Sequence, residues 1–175
     1  MRMSQKPWLK YPARIYISFM RGVPMLVVLF ILYFGLPYVG IQIPALLYAI
    51  IGFSTVSAAY MAEIFRSSIS AVDKGQWEAA QSLGLPQKPI IRHIILPQAL
   101  RIAVAPTCNV IIDMVKSSSL AAMITVPDIF QNAKIIGGRE YDYMSMYILI
   151  AFIYWVLSFI LELLQGQVEK RLTVY

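Results

Sequence analysis

Long apolar runs set the plan of this chain. The first covers residues 23–39, with no charge from 25 to 34, and the second, 41–61, is uncharged throughout. A helix that crosses a bilayer needs roughly 17–25 apolar residues; both runs meet that length, the first only just. Between them Gly35, Pro37, Gly40 and Pro44 predict a tight turn, with Tyr33 and Tyr38 at headgroup level. A third run, 99–115, is interrupted by Arg101, Pro106 and Asp113. Residues 117–133 are mildly apolar and too polar for a span, and Gly137-Gly138-Arg139-Glu140-Tyr141-Asp142 predicts a loop. The last run, 144–161, contains Trp155 and leads into an amphipathic end carrying Lys170 and Arg171. The expectation is an all-α polytopic membrane protein. It has a single transmembrane domain over 1–175, spans at about 22–39, 42–62, 98–116 and 144–163, and a polar loop over 63–97.

Composition agrees with a lipid environment. Hydrophobic residues make up 59 % and charged residues 14 %, with a mean hydropathy of +0.66; soluble domains have roughly 45–50 % and about 25 %. A soluble chain this short has too little interior to hide so much apolar surface. The net charge of +6 raises nucleic acid as a partner. The cations flank apolar runs instead of forming a stripe on a polar fold, which excludes it. Arg2, Lys6, Lys10, Arg14 and Arg21 precede the first run, and Arg66, Lys74, Lys88 and Arg92 occupy the 63–97 loop. With Lys170 and Arg171 they outweigh Lys116, Lys134 and Arg139 on the other side, so the positive-inside bias predicts both termini and the large loop in the cytoplasm. A single cysteine, Cys108, excludes an internal disulfide and a multi-cysteine metal site. The first apolar run is too long for a signal core and lacks a cleavage site.

The 63–97 loop carries the most specific pattern. Asp73 with Gln76 has capping-box spacing: Asp73 accepts from a first-turn amide and Gln76 reaches back. A helix over 74–83 then ends at Gly84, which suits the left-handed position after a helix. Pro86 and Pro89 prevent its continuation, and a second helix starts near Pro89. Helices this short are marginal alone in water and need a partner surface.

Glu78-Ala79-Ala80, then Gly84, then Ile94 and Leu96-Pro97 reproduce the spacing of the EAA motif. The chain thereby resembles the permease subunits of binding-protein-dependent ATP-binding-cassette importers. Arg21-Gly22-Val23-Pro24, Ala59-Tyr60-Met61-Ala62-Glu63-Ile64-Phe65-Arg66, Gln98-Ala99-Leu100-Arg101 and Lys116-Ser117-Ser118-Ser119-Leu120 resemble the polar amino acid branch. The resemblance implies that Gln76, Glu78, Ala79, Ala80, Gly84, Ile94, Leu96 and Pro97 couple the chain to a separate ATPase subunit, in whose groove the 76–84 helix docks. It further implies a second permease subunit, identical or paralogous, and an extracytoplasmic amino-acid-binding protein. The chain has no phosphate loop, so ATP and magnesium would sit on the partner and this subunit would hold no cofactor. Family members usually have five spans, and the expectation from the resemblance is that the first of them is absent here and the chain opens in what would be the first cytoplasmic loop.

Ionisable groups within a bilayer are costly and face the bundle interior. Asn109, Asp113 and Lys116 follow helical steps onto one face, and Ser119 lies just beyond them. Asp113 could accept from a substrate ammonium and Lys116 could meet a carboxylate. An internal Asp113–Lys116 ion pair, or a snorkelling Lys116, explains the same residues. Residues 117–124 read either as a short gate helix or as a plain cap. Glu63 and Arg66 predict a helix-end ion pair, and His93 has no metal-ligand neighbour in sequence. An ion-coupled secondary amino acid transporter is the rival function; it would need embedded coupling residues and usually an inverted repeat. A membrane enzyme would need a catalytic constellation, which the sequence lacks.

Overall fold

A computed structural model describes residues 7–172, all of them in helices or short connections; Arg2 and Lys6 lie outside these residues. Helix α1 covers Pro7–Gly22 and α2 covers Met25–Phe30. Pro24 separates them, with φ −58° and ψ 140°, because it supplies no amide and disfavours helical geometry in Val23. The break turns α1 by 107° from Met25–Val39. The segment expected as a span over 22–39 is therefore the upper limb of a bent pair. After α2 the chain widens into a π turn, Ile31–Gly35, and tightens into a 3₁₀ turn, Leu36–Val39. Gly40, at φ +80°, closes the turn, its amide bonding Pro37 O and that of Ile41 bonding Leu36 O.

Helix α3 (Ala45–Ala71) returns antiparallel to that limb. Gly52 permits their contact: a Cβ there would lie 2.7 Å from Cδ2 of Leu29, which is fully buried. Helix α4 (Lys74–Ser82) and a single turn, α5 (Gln87–Pro89), make the loop. The second loop helix does not stop before the third apolar run. From α5 it runs through a π turn, Ile90–Ile95, into α6 (Leu96–Ser117) and a 3₁₀ turn, Ser118–Ile124. Both π turns precede a proline, Pro37 or Pro97, where a missing amide interrupts the regular ladder. Helix α7 (Ile129–Glu140) and α8 (Tyr143–Leu172) finish the chain.

Three helical stretches are long and apolar enough to cross a membrane, Ala45–Ala71, Gln87–Ile124 and Tyr143–Leu172, and the bent pair makes a fourth if counted as one span. Only 11 % of the most apolar stretch of α8 is buried; its apolar side chains face outward, as lipid contact demands.

The predicted loop over 137–142 is a correction. Residues 137–140 complete α7, and Tyr141 at φ +55° ends it. Two glycines read locally as a turn, yet they serve packing. A Cβ on Gly137 would stand 3.0 Å from the Tyr143 ring, and one on Gly138 would stand 2.9 Å from its hydroxyl. Small residues let α7 lie against the start of α8, where Phe130 stacks on Tyr147.

Two apolar cores sit at opposite ends of α3. Leu29, Tyr48, Ala49, Ala121, Ile124 and Val126 form one, and Val72, Ala80, Ile90, Ile95 and Ala99 form the other. Ala49 and Val72 are about 35 Å apart along the helix.

Candidate functional site

The loop beyond α3 is a folded unit. Asp73 caps α4, its carboxylate accepting from the Gly75 amide at 2.6 Å. Gln76 does not reach back as a capping box requires; its Oε1 accepts from Gln98 Nε2 at 3.3 Å and ties α4 to α6. Trp77 and Ile94 pack on the second core, and Ala80, 3 % exposed, lies within it. The expectation that Ala79 and Ala80 both permit close approach of a partner is divided by this packing. Ala79 faces outward and Ala80 faces the loop's own interior.

The end of α4 takes the geometry expected of Gly84. Its φ is +70°, its amide bonds Gln81 O at 2.9 Å, and the Leu85 amide bonds Ala80 O at 3.3 Å, the paired pattern that closes many helices. No atom lies within 4 Å of a Cβ built on Gly84. Glu78 is exposed, as are Leu96 and Pro97. Sequence reading missed Leu83, 78 % exposed at the tip of α4. A large apolar side chain just before a C-terminal glycine was the available signal.

Asp113 and Lys116 pair at 3.3 Å within α6. They stand on a ridge between two cavities. One, of about 510 Å³, opens between the α1–α2 break, α3 and α6 and is lined by Arg21, Ser57, Tyr60 and Met114 besides the pair. The other, of about 410 Å³, lies between α6 and α8 and adds Asn109, Glu162, Gln165 and Glu169. Asn109 Oδ1 accepts from Gln165 Nε2 at 3.1 Å. The shared face of Asn109, Asp113 and Lys116 is thus real, and α8 completes it. Ser119 lies apart, its hydroxyl donating to Lys116 O at 2.9 Å.

Arg66 grips Glu63 with two bonds, of 2.7 and 3.1 Å. The pair does not mark the end of α3, which continues to Ala71. It also holds the α1–α2 break, because Arg21 lies 3.9 Å from Glu63 and 5.5 Å from the centre of the Tyr60 ring. His93 is exposed, and among the described residues no group of His, Cys, Asp and Glu could hold a metal ion.

Comparison with known proteins gives one answer. Residues 1–174 match the family described as binding-protein-dependent transport system inner membrane component. The probable amino-acid ABC transporter permease protein YckA of Bacillus subtilis (strain 168) is 61 % identical over 174 residues, covering 99 % of this chain and 77 % of YckA. The L-cystine transport system permease protein TcyB of the same organism is 40 % identical over 175 residues, covering 99 % and 75 %. The crystal structure of an amino acid ABC transporter with histidines superposes with a TM-score of 0.94 at 38 % identity, over 98 % of this chain and 80 % of that one.

Proposed function

Because this chain belongs to the binding-protein-dependent transport system inner membrane components, we propose that it passes a polar amino acid through the cell membrane as the permease subunit of an ATP-driven importer. Membership makes it a multi-pass transport component and not an enzyme, and favours the importer over the ion-coupled rival. The cargo class follows the names of its relatives, a cystine permease among them.

The observation that carries the coupling role is the end of α4. Glu78, Ala79, Leu83 and Gly84 are presented outward there, while Ala80 and Trp77 anchor the helix to α6 through Ile90 and Ile95. The ATPase subunit, with its ATP and magnesium, docks on this surface. Leu83 enters an apolar pocket of the partner, Glu78 makes a charge-assisted bond, and Ile94, Leu96 and Pro97 stiffen the base. A second permease subunit covers apolar surface that the spans leave open, and an extracytoplasmic binding protein delivers the cargo. Both termini and the loop lie in the cytoplasm, as the cation bias supports.

The amino acid exchanges partners with the Asp113–Lys116 pair, its ammonium meeting Asp113 and its carboxylate meeting Lys116, with Asn109 beside them. ATP-driven closure of the ATPases moves α4 and switches access from one side to the other, a rigid-body transition. Tagging the chain, co-expressing it with its neighbouring genes and identifying what co-purifies is the test. A phosphate-loop ATPase that follows the native chain, and is lost with Gly84→Asp at equal membrane insertion, supports the assignment. Normal uptake by Gly84→Asp would sink it.

A further inference from the structure

Apart from Arg21, which lines the larger cavity, helix α1 takes no part in the transport reading, yet its surface is sharply divided. At 100° per residue, Ala13, Ile17 and Met20 form a sector turned to the protein, with Ile17 buried. Trp8, Tyr11, Ile15 and Phe19 form an exposed apolar sector, Trp8 and Ile15 each at 69 %. Lys10, Arg14, Ser18 and Arg21 form the third, and the helix contains no acidic residue. The basic and apolar sectors are centred roughly 100–120° apart. Since α1 stands at 107° to Met25–Val39, it runs across the spans and not along them.

Two grooves flank Arg14 and Ser18. One, of about 420 Å³, is lined also by Ile17, Arg21 and Gly22, and its polar side chains are these arginines and the serine. The other, of about 390 Å³, adds Tyr11, Ile15 and Phe19 and is largely apolar. Their shared edge at Arg14 and Ser18 joins a cationic compartment to a greasy one. Arg14 makes no ion pair among the described residues. Arg21 shares Glu63 with Arg66, which holds it by two bonds, so Arg14, Arg21 and Arg66 outnumber that carboxylate and the groove stays positive.

We propose that α1 lies in the headgroup layer and seats an anionic phospholipid there. The lipid phosphate sits among Arg14, Ser18 and Arg21, and its acyl chains run along Tyr11, Ile15 and Phe19. An amphipathic helix with a basic polar face binds an anionic interface by both buried apolar area and charge. The ATPase subunit is the poorer occupant. Helix α1 meets α3 through the Tyr16 hydroxyl, which donates to Thr55 O at 2.6 Å, and through Arg21 at Glu63. The coupling segment begins beyond Ala71, about 12 Å further along the axis. The inference rests on the membrane-embedded reading of α3, α6 and α8, and not on the cargo or the ATPase.

Native mass spectrometry of the full chain in mild detergent tests it, with phosphatidylglycerol or phosphatidylcholine of the same acyl chains added. Phosphatidylglycerol is expected to be retained preferentially. Arg14→Gln should lower its retention about five-fold, Arg14→Lys should keep most of it, and Lys134→Gln on α7 should leave it unchanged. Equal retention of the two lipids by the native chain, or an equal loss from Lys134→Gln, would overturn the proposal. Displacement by inorganic phosphate at matched ionic strength would overturn it too, since the groove would then be an anion pocket with no hold on the chains. The native-chain arms need no variant to fold. A chain that loses the lipid but keeps its ATPase refutes this seat alone; one that keeps the lipid but recruits no ATPase refutes the coupling role alone.

Discussion

Gly84 at the end of α4 and Thr125 after the turn Ser118–Ile124 hold the same backbone, with φ of +70° and +65°. Both close a helix by the same pair of bonds, Leu85 to Ala80 and Gly84 to Gln81 in one case, Val126 to Ala121 and Thr125 to Ala122 in the other. Their surroundings are opposite. Gly84 has open space around it. Thr125 stands between buried Ile124 and Val126, and its hydroxyl pairs with that of Tyr33 at 3.3 Å. A β-branched residue in this region is strained, and the flanking core holds it there. The comparison teaches that one turn serves two ends. At the loop end it is relaxed and leaves room for a partner; at the far end it is strained and locked by packing.

The largest expected effect tests the reserved room. Asparagine tolerates the left-handed conformation, so Gly84→Asn should leave α4 folded and still abolish ATPase co-purification, with circular dichroism unchanged. Full recruitment by Gly84→Asn would mean that the glycine serves only the backbone.

Second is the base of the loop. Ile95→Ala empties a fully buried site and should cost about 2–5 kcal/mol. Hydrogen exchange over 74–82 would then quicken while 45–60 stays protected; uniform loosening would show that the loop is no separate unit.

Overpacking at the α7–α8 contact comes third. Gly137→Ala should lower stability by about 1–3 kcal/mol, read as a lower Tm of the solubilised protein, whereas Gly166→Ala, with no neighbour within 4 Å, should not lower it.

Thr125→Gly is the smaller and opposite change. Relief of roughly 1–2 kcal/mol of strain is offset by the greater freedom of glycine in the unfolded chain, leaving a gain of about 0.5–1 kcal/mol and a slightly higher Tm. A lower Tm would show that the Tyr33 contact outweighs the strain.

The smallest concerns Asp142 at the start of α8. The Ser145 hydroxyl, and then its amide, hold this carboxyl below its ordinary range. A lowered folded value means that its stabilisation is complete above about pH 4 and is lost as pH falls through the folded value. The protection factor of the Ser145 amide, its exchange relative to the intrinsic rate at each pH, should fall in that acid window, and Asp142→Asn should remove this pH dependence.

What could be read from sequence divides along physical lines. Uncharged runs such as 41–61 announce a span because lipid excludes polar groups, and Gly84 between α4 and Pro86 announces a turn because only local chemistry is involved. The role of Gly137 and Gly138 was not legible, since it depends on Tyr143 packing across a corner. Nor was the inward face of Ala80, since α4 presents one alanine to Ile90 and the next to solvent. Asn109 was placed on the right face of α6, but its partner Gln165 lies on another helix that no local pattern points to.

The continuous helical stretch from Gln87 to Ile124 contains 38 residues, roughly 57 Å of rod. It begins in the loop core beside α4 and ends against Leu29 and Tyr48 at the opposite end of α3. Such a rod acts as a lever. A tilt of about 5° about its middle displaces each tip by about 2.5 Å in opposite directions, enough to part side chains in contact at one end while pressing them together at the other. The π turn at Ile90–Ile95 sits near one tip.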